Sequence, residues 1–210
     1  MPTLGLRPFI GGNSYRTPGA PHPGYGSAQR YPCIAGPSFT KSNTMAANKC
    51  YAIRFRIHSS KSFTGMAAYQ NSAATTGNMR MGIYNDSTGL PGTLQQDVGA
   101  VAFPASTGWR TVSTTINLTP AWYWAACVAD AALVTIGPDV GSATTQSSPP
   151  LAEVLDNGIS TVIGGSPDWT SNLNGIGALR AALTYGALPT PFGTLEAYDW
   201  NVPPLLFLVG

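Results

Sequence analysis

The chain has 210 residues, which is enough for one sizeable domain, or for one domain with an extension. Charged residues make up only 10% of it, but hydrophobic residues reach 43%, so the low charge does not indicate disorder. The 24 glycines and 18 prolines favour turns and disfavour long helices.

The net charge of +2 hides an uneven distribution along the chain. Residues 1–85 contain nine of the eleven Lys and Arg residues and no acid, whereas residues 86–210 contain two basic residues and all nine acids. This division suits charge pairing inside one folded unit that has a basic arm, and it also suits head-to-tail contacts between subunits. The first interpretation is the simpler one.

Several classes of protein are excluded by the cysteines, the N-terminus and the longest apolar run. Cys33, Cys50 and Cys127 lack the paired spacing of zinc or redox motifs, and we expect three free thiols. The N-terminus has no signal-peptide pattern, and residues 121–129 are too few to cross a bilayer as a helix. We therefore expect a soluble protein, made in a reducing compartment, without membrane insertion.

Residues 1–44 are predicted to form an extended anchoring arm. Seven prolines interrupt any periodicity, and residues 17–24 form a Pro/Gly tract that favours extended backbone. Large apolar side chains such as Phe9 and Tyr25 are nevertheless scattered through the segment, which is unusual for a pure linker. Because an extended arm is ordered when another surface covers it, we expect this segment to lie on a partner subunit.

Residues 45–210 are predicted to form one domain of antiparallel strands. Between residues 49 and 58, apolar and polar side chains alternate, which predicts a half-buried strand with a basic outer face. The other predicted strands cover residues 62–70, 78–85, 98–103, 109–118, 122–128, 178–185 and 205–209. Gly/Pro turns separate them and no βαβ alternation is present. The predicted fold class is therefore all-β, an antiparallel, jelly-roll-like β-sandwich.

The predicted strand at residues 122–128 is apolar on both faces. Such a strand lies in the middle of a sandwich or at a subunit interface. We therefore predict that Trp122 and Trp124 are buried. Trp109, in the preceding strand, is likewise expected in the core or at an interface.

The sequence contains few of the residues that catalysis or cofactor binding requires. A nucleophile needs a neighbouring base, and the only histidines, His22 and His58, lie among prolines and at a strand end. Phosphate-binding glycine motifs and calcium loops are absent, and the basic residues do not cluster as on a nucleic-acid-binding surface. We predict no enzyme, no cofactor, no metal and no nucleic-acid partner. A pair of carboxylates acting on a sugar is the minor alternative.

One candidate ligand site consists of aromatic residues beside carboxylates. Trp169 follows Asp168, and Tyr198, Asp199 and Trp200 are consecutive. An aromatic ring stacks on the apolar face of a sugar, and a carboxylate accepts hydrogen bonds from its hydroxyl groups. We predict that these five residues bind a glycan. The alternative is that they pack against a neighbouring subunit.

Two stretches carry a resemblance to a known group of proteins. Residues 80–94 read RMGIYNDSTGLPGTL and residues 118–126 read LTPAWYWAA. They resemble the strand–turn–strand pattern of β-sandwich modules in virion proteins of tailed bacteriophages, roughly GIY-x-D-x-x-G-x-PG-x-L followed by LTPG-x-YW-x-A. The chain differs at Ala121, where the pattern usually has Gly. The resemblance covers residues 45–210 and not the arm.

The resemblance implies a virion structural protein, assembled in the host cytoplasm and displayed on the particle surface. A tail-fibre or receptor-binding component is favoured and would be a homotrimer, whereas a capsid decoration or head-fibre protein would follow the capsid lattice. The arm would then bind other virion proteins, and the aromatic residues would bind a host-surface glycan. A monomeric carbohydrate-binding module outside any virion is the second alternative.

Overall fold

The computed structural model describes residues 29–33, 41–57, 59–137, 178–193, 195–196, 204 and 206–210. Strands account for the regular structure of these ranges, and no helix occurs within them. They are β1 (Arg30–Pro32), β2 (Lys41–Met45), β3 (Lys49–Ile57), β4 (Lys61–Gln70), β5 (Gly77–Ser87), β6 (Leu90–Phe103), β7 (Gly108–Leu118), β8 (Ala121–Ala129), β9 (Leu133–Gly137), β10 (Ala178–Ala182), β11 (Leu195–Glu196) and β12 (Leu206–Val209).

The strands form two six-stranded antiparallel sheets that pack face to face. The first sheet has the order β1-β12-β4-β9-β2, and β7 pairs with the remaining edge of β4. The second sheet has the order β11-β10-β3-β8-β5-β6. The fold is therefore an all-β antiparallel sandwich, as the alternating sequence pattern predicts.

The main hydrophobic core lies between the two sheets. Tyr51, Met81 and Tyr123 project from the second sheet and belong to the same buried cluster as Phe63 and Leu206 of the first. Alternation along each strand brings these side chains to one face. Each large apolar side chain that is fully buried contributes about 1.5–3 kcal/mol to stability, so this cluster is the main source of it.

The turn-rich segment at residues 85–92 is a tight hairpin. β5 continues to Ser87, which pairs with Leu90 at the start of β6, so only Thr88 and Gly89 remain between the strands. Both have positive φ, 53° and 89°, as a type I′ turn requires. The predicted turn is confirmed, but the strands extend further into the segment than its polar composition suggested.

Two strands lie within the segment predicted as an arm. β1 pairs with β12 and β2 pairs with β9, so residues 30–32 and 41–44 belong to the first sheet. Pro32 is tolerated because β1 is an edge strand and a missing N–H costs no ladder bond on its open side. The structure describes only residues 29–33 and 41–44 of the segment, and its contact with a partner stays a prediction.

β8 is central, as its two apolar faces predict, because it lies between β3 and β5. One face joins the core, and the other is covered by residues 183–193, here called the strap. Trp124 lies under the strap and is 2% exposed, which confirms its predicted burial. Trp122 lies outside that cluster and is half-buried, so it is not a core residue, and its predicted burial between subunits stays a prediction.

Close contacts hold the strap on the second sheet. The rings of Tyr84 and Phe192 meet edge to face, with centroids 5.1 Å apart, and the Tyr84 hydroxyl donates a hydrogen bond to the carbonyl of Pro189 at 2.8 Å. A Cβ at Gly82 would collide with the Leu188 side chain. A glycine in β5 is therefore what allows the strap to approach the sheet.

All three cysteines are buried free thiols, as predicted. Burial raises the pKa of Cys50 to about 12. It raises the pKa of Cys33 and Cys127 well above the ordinary thiol value. Since the thiolate is the reactive form, these side chains act as small packing groups and not as nucleophiles.

Candidate functional site

The predicted glycan-site residues, Asp168, Trp169, Tyr198, Asp199 and Trp200, lie outside the described residues, as do His22 and His58. Their convergence therefore stays a prediction. Two surfaces on the described strands combine a tryptophan with arginine, one on each sheet.

Asp86 connects the two stretches of the sequence pattern. Its Oδ1 accepts a hydrogen bond from Nε1 of Trp124 at 2.8 Å, and its Oδ2 accepts one from the backbone N–H of Gly89 at 3.1 Å. Arg54 donates from Nε to Oδ1 at 2.8 Å and from Nη2 to Oδ2 at 3.1 Å. Both carboxylate oxygens are thus occupied by the protein itself. Asp86 is a structural group of the hairpin and not a metal or sugar ligand.

Arg54 also contacts an aromatic ring on the outer face of the second sheet. Its Cζ lies 4.4 Å from the ring centroid of Trp122, and Cζ of Arg56 lies 5.5 Å from the same centroid. Arg56 and Trp122 face each other across the β3–β8 pair, and Arg56 is exposed. The basic outer face predicted for β3 is therefore confirmed for these two arginines. Arg54, which pairs with Asp86, therefore packs against the ring of Trp122 and restricts its movement.

The outer face of the first sheet carries an aromatic cluster formed by Tyr69, Trp109 and Phe207, with Arg30 above it; we call these four residues the aromatic face. The centroids of Tyr69 and Trp109 lie 5.3 Å apart and those of Trp109 and Phe207 lie 4.9 Å apart, both edge to face. Cζ of Arg30 lies 4.4 Å from the centroid of Trp109. Because β7 and β12 pair with opposite edges of β4, the rings meet above that strand.

Trp109 is 38% exposed, which rules out the core position that was one of its two predicted places. The alternation of apolar and polar residues along β7 predicts that Trp109 is exposed. Val112 packs against the core and Ile116 is buried in it, so Trp109 falls on the opposite, polar face together with Ser113. Size and aromaticity suggested burial, whereas the position in the alternation was the better guide.

The three carboxylates whose side chains are described all have partners within the domain. Asp86 pairs with Arg54, Asp97 with Arg80 at 2.7 Å, and Asp130 accepts hydrogen bonds from Asn78. Hydrogen bonding to Asp97 raises the pKa of Arg80.

Two exposed arginines remain without a carboxylate partner among the described residues. They are Arg30 on the aromatic face and Arg56 beside Trp122. The described part of the sandwich thus presents free positive charge next to tryptophan on both sheets.

Other kinds of site find no support in the described ranges. His, Cys, Asp and Glu side chains do not gather there in groups of three or more that could hold a metal ion. Within the same residues, no helix has the length and apolar character needed to span a membrane.

Comparisons with family models, curated proteins and solved structures found no match for this chain. Its interpretation therefore depends on the sequence pattern and on the geometry of these two surfaces.

Proposed function

We propose that this chain is a structural protein of a tailed-bacteriophage virion, displayed on the particle surface as a tail-fibre or receptor-binding component. The proposal is supported by the pattern at residues 80–94 and 118–126. Its characteristic residues serve the fold: Asp86 holds Trp124, Gly89 forms the hairpin turn, and Tyr84 holds the strap. Residues with such roles are those that a recurring structural module would keep.

The aromatic face is the observation that carries the attachment role. Trp109 leaves 38% of its surface in water, although it lies on a sheet whose other face is packed. Tryptophan, tyrosine and arginine are enriched where proteins bind partners, and exposed aromatic groups on a rigid scaffold suit that purpose. We propose that this face contacts the host surface.

We further propose that residues 1–44 bind other virion proteins and that the chain acts as a homotrimer. Single aromatic sites for saccharides bind weakly, and a symmetric oligomer raises avidity by presenting several linked sites. The part of the arm before β1 supports this arrangement, because large apolar residues such as Phe9 and Tyr25 are unusual in a linker that contacts nothing.

Labelled antibodies test the proposal on purified particles. Antibodies against residues 45–210, viewed by electron microscopy, are expected to mark the tail and to slow adsorption to host cells. Label spread over the capsid would favour a decoration protein instead. Absence of the chain from particles, checked by mass spectrometry, would refute a virion role.

A carbohydrate-binding module outside a virion is the second candidate. The pairing of an exposed Trp109 with Tyr69 on a rigid sheet favours it. It predicts a monomer that binds glycans by itself, whereas a fibre component is trimeric. Mass measurement in solution separates the two.

A further inference from the structure

We infer that the aromatic face binds an acidic saccharide, a carboxylate-bearing sugar within a longer glycan. Trp109 and Tyr69 contact the sugar rings and Arg30 pairs with the carboxylate. This inference rests on the proposed attachment function and names its ligand. It concerns residues other than the five predicted from the sequence.

The rings are already positioned for a ligand. Trp109 meets Tyr69 at 81° and Phe207 at 83°, so two neighbours support the indole from different strands. A ring held in this way loses little conformational freedom when it binds. Trp109 is 38% exposed beside Arg30, and the C–H groups of a pyranose would contact this exposed apolar surface.

Tyr69 adds a polar group beside the rings. Its side chain is half-buried, and its hydroxyl has no hydrogen-bond partner among the described residues. A phenolic hydroxyl both donates and accepts, which suits the hydroxyl groups of a sugar.

Arg30 determines the charge of the ligand. Its Cζ lies over the Trp109 ring, 4.4 Å from the centroid, and a guanidinium that contacts an aromatic ring can still donate N–H groups to a carboxylate. The described carboxylates, Asp86, Asp97 and Asp130, have partners elsewhere in the domain. Arg30 therefore meets no competing Asp side chain among the described residues.

Among the described residues, Arg30 is the one exposed arginine on the aromatic face, which favours a sugar over a nucleic acid. Arg110, near Trp109 on β7, is engaged by Oε1 of Gln70 at 2.8 Å and by the carbonyl of Ser106 at 2.6 Å. A nucleic-acid surface needs a stripe of free cations that tracks the phosphates. One cation beside two rings matches one carboxylate on one sugar residue.

The test uses the purified full chain and a panel of acidic oligosaccharides, some with uronic acids and some with sialic acids. Each is paired with its carboxyl-reduced, neutral counterpart, and affinity is measured by calorimetry. We expect at least one acidic member to bind about tenfold more tightly than its counterpart. Trp109→Ala should remove binding, and Arg30→Gln should remove the preference for the acid while leaving the neutral sugar unaffected.

Arg56→Gln is the matched control. It removes the same charge from another exposed arginine beside a tryptophan, on the other sheet. Binding should change less than about twofold, because exposed charges this far apart are screened. Equal effects of Arg56→Gln and Arg30→Gln would overturn the inference. So would a panel without any acidic preference, or a Trp109→Ala chain whose oligomeric state has changed.

Failure of the ligand and failure of the function are distinguishable. If antibodies mark the particle tail but no acidic saccharide is preferred, only the ligand assignment is wrong. If the acidic saccharide binds but the chain is absent from particles, the virion role is wrong and the ligand assignment stands.

Discussion

The indole N–H of Trp124 donates a hydrogen bond to Oδ1 of Asp86 at 2.8 Å. This bond ties the β5–β6 hairpin to the central strand of the second sheet. The two residues are 38 positions apart, and each belongs to a different stretch of the sequence pattern. Their pairing gives that pattern a physical reason, since the carboxylate closes the turn through Gly89 and fixes the tryptophan beneath the strap.

Replacing Asp86 by Asn should destabilise the domain. The side chains of Arg54 and Asp86 are only 11% and 14% exposed, so the substitution leaves a mostly buried guanidinium without its counter-charge. We expect a loss of about 2–4 kcal/mol in the free energy of unfolding, measured by urea titration. Asp97→Asn is the control, because the Arg80–Asp97 pair is 29% and 24% exposed and should cost about 1 kcal/mol. Similar losses in the two variants would contradict a structural role for Asp86.

Gly82→Ala should loosen the strap. The added methyl group would collide with the end of the Leu188 side chain and crowd the carbonyl of Gln96, so this buried side chain must repack and its hold on the sheet weakens. We expect a cost of about 1–3 kcal/mol and faster hydrogen exchange in residues 183–193. Gly186→Ala, within the strap itself, is the control, since its methyl group would meet only the carbonyl of Thr184 at 3.9 Å. Unchanged hydrogen exchange in Gly82→Ala would show that the close approach of Leu188 to Gly82 does not hold the strap on the sheet.

The three thiols should not react with a thiol reagent while the protein is folded. Ellman's reagent at pH 8 is expected to label none of Cys33, Cys50 and Cys127 before denaturation and all three afterwards. Rapid labelling of the native chain would mean that the core opens easily.

Buried thiols also make stability depend on pH. Burial raises the pKa of Cys50 from 9.0 to about 12, so the folded state retains a proton that the unfolded state loses. The free energy of unfolding is therefore unaffected by this thiol below pH 9 and decreases as the pH rises from 9 toward 12. Cys50→Ala should make the alkaline fall in melting temperature shallower than that of the unaltered chain. An identical fall would assign the alkaline sensitivity to other groups.

Deletion of residues 1–28 tests the proposed anchor. The shortened chain keeps β1 and β2, so it should fold normally but fail to enter particles. Deletion of residues 1–44 is a different experiment, because it also removes β1 and most of β2 and exposes the edges of β12 and β9. That longer deletion should lower the melting temperature. Normal incorporation of the chain that lacks residues 1–28 would rule out an anchoring role for them.

Much of the sandwich is predictable from alternation along the chain. Strands β3, β5 and β7 were expected close to their observed bounds because apolar side chains recur at every second position in them, and β8 because it is apolar on both faces. β1, β2, β9 and β11 were not predicted, because strands this short show little alternation; β12 is as short but was expected because it is apolar throughout. β2 also reads as polar, since its inward positions are Asn43 and Met45.

The candidate site was less predictable. Aromatic loop residues beside acids suggested a site at Asp168–Trp169 and Tyr198–Trp200, which lies outside the described residues. The aromatic face instead combines Arg30 and Phe207 with two residues from the middle of the chain. Such residues are brought together by strand pairing over long separations, which local patterns do not encode.

The sequence by itself determined that the chain forms strands, which side chains share a face of each strand, and that the hairpin turns at Gly89. These properties are local, since they follow from the period of two and from the backbone freedom of glycine. Only the tertiary structure decided which faces are covered. Trp124 and Trp109 both lie on outer faces, yet the strap buries the first, while the second stays 38% exposed beside Arg30. Burial depends on segments distant in the chain, so it is decided by their packing and not by the residues themselves.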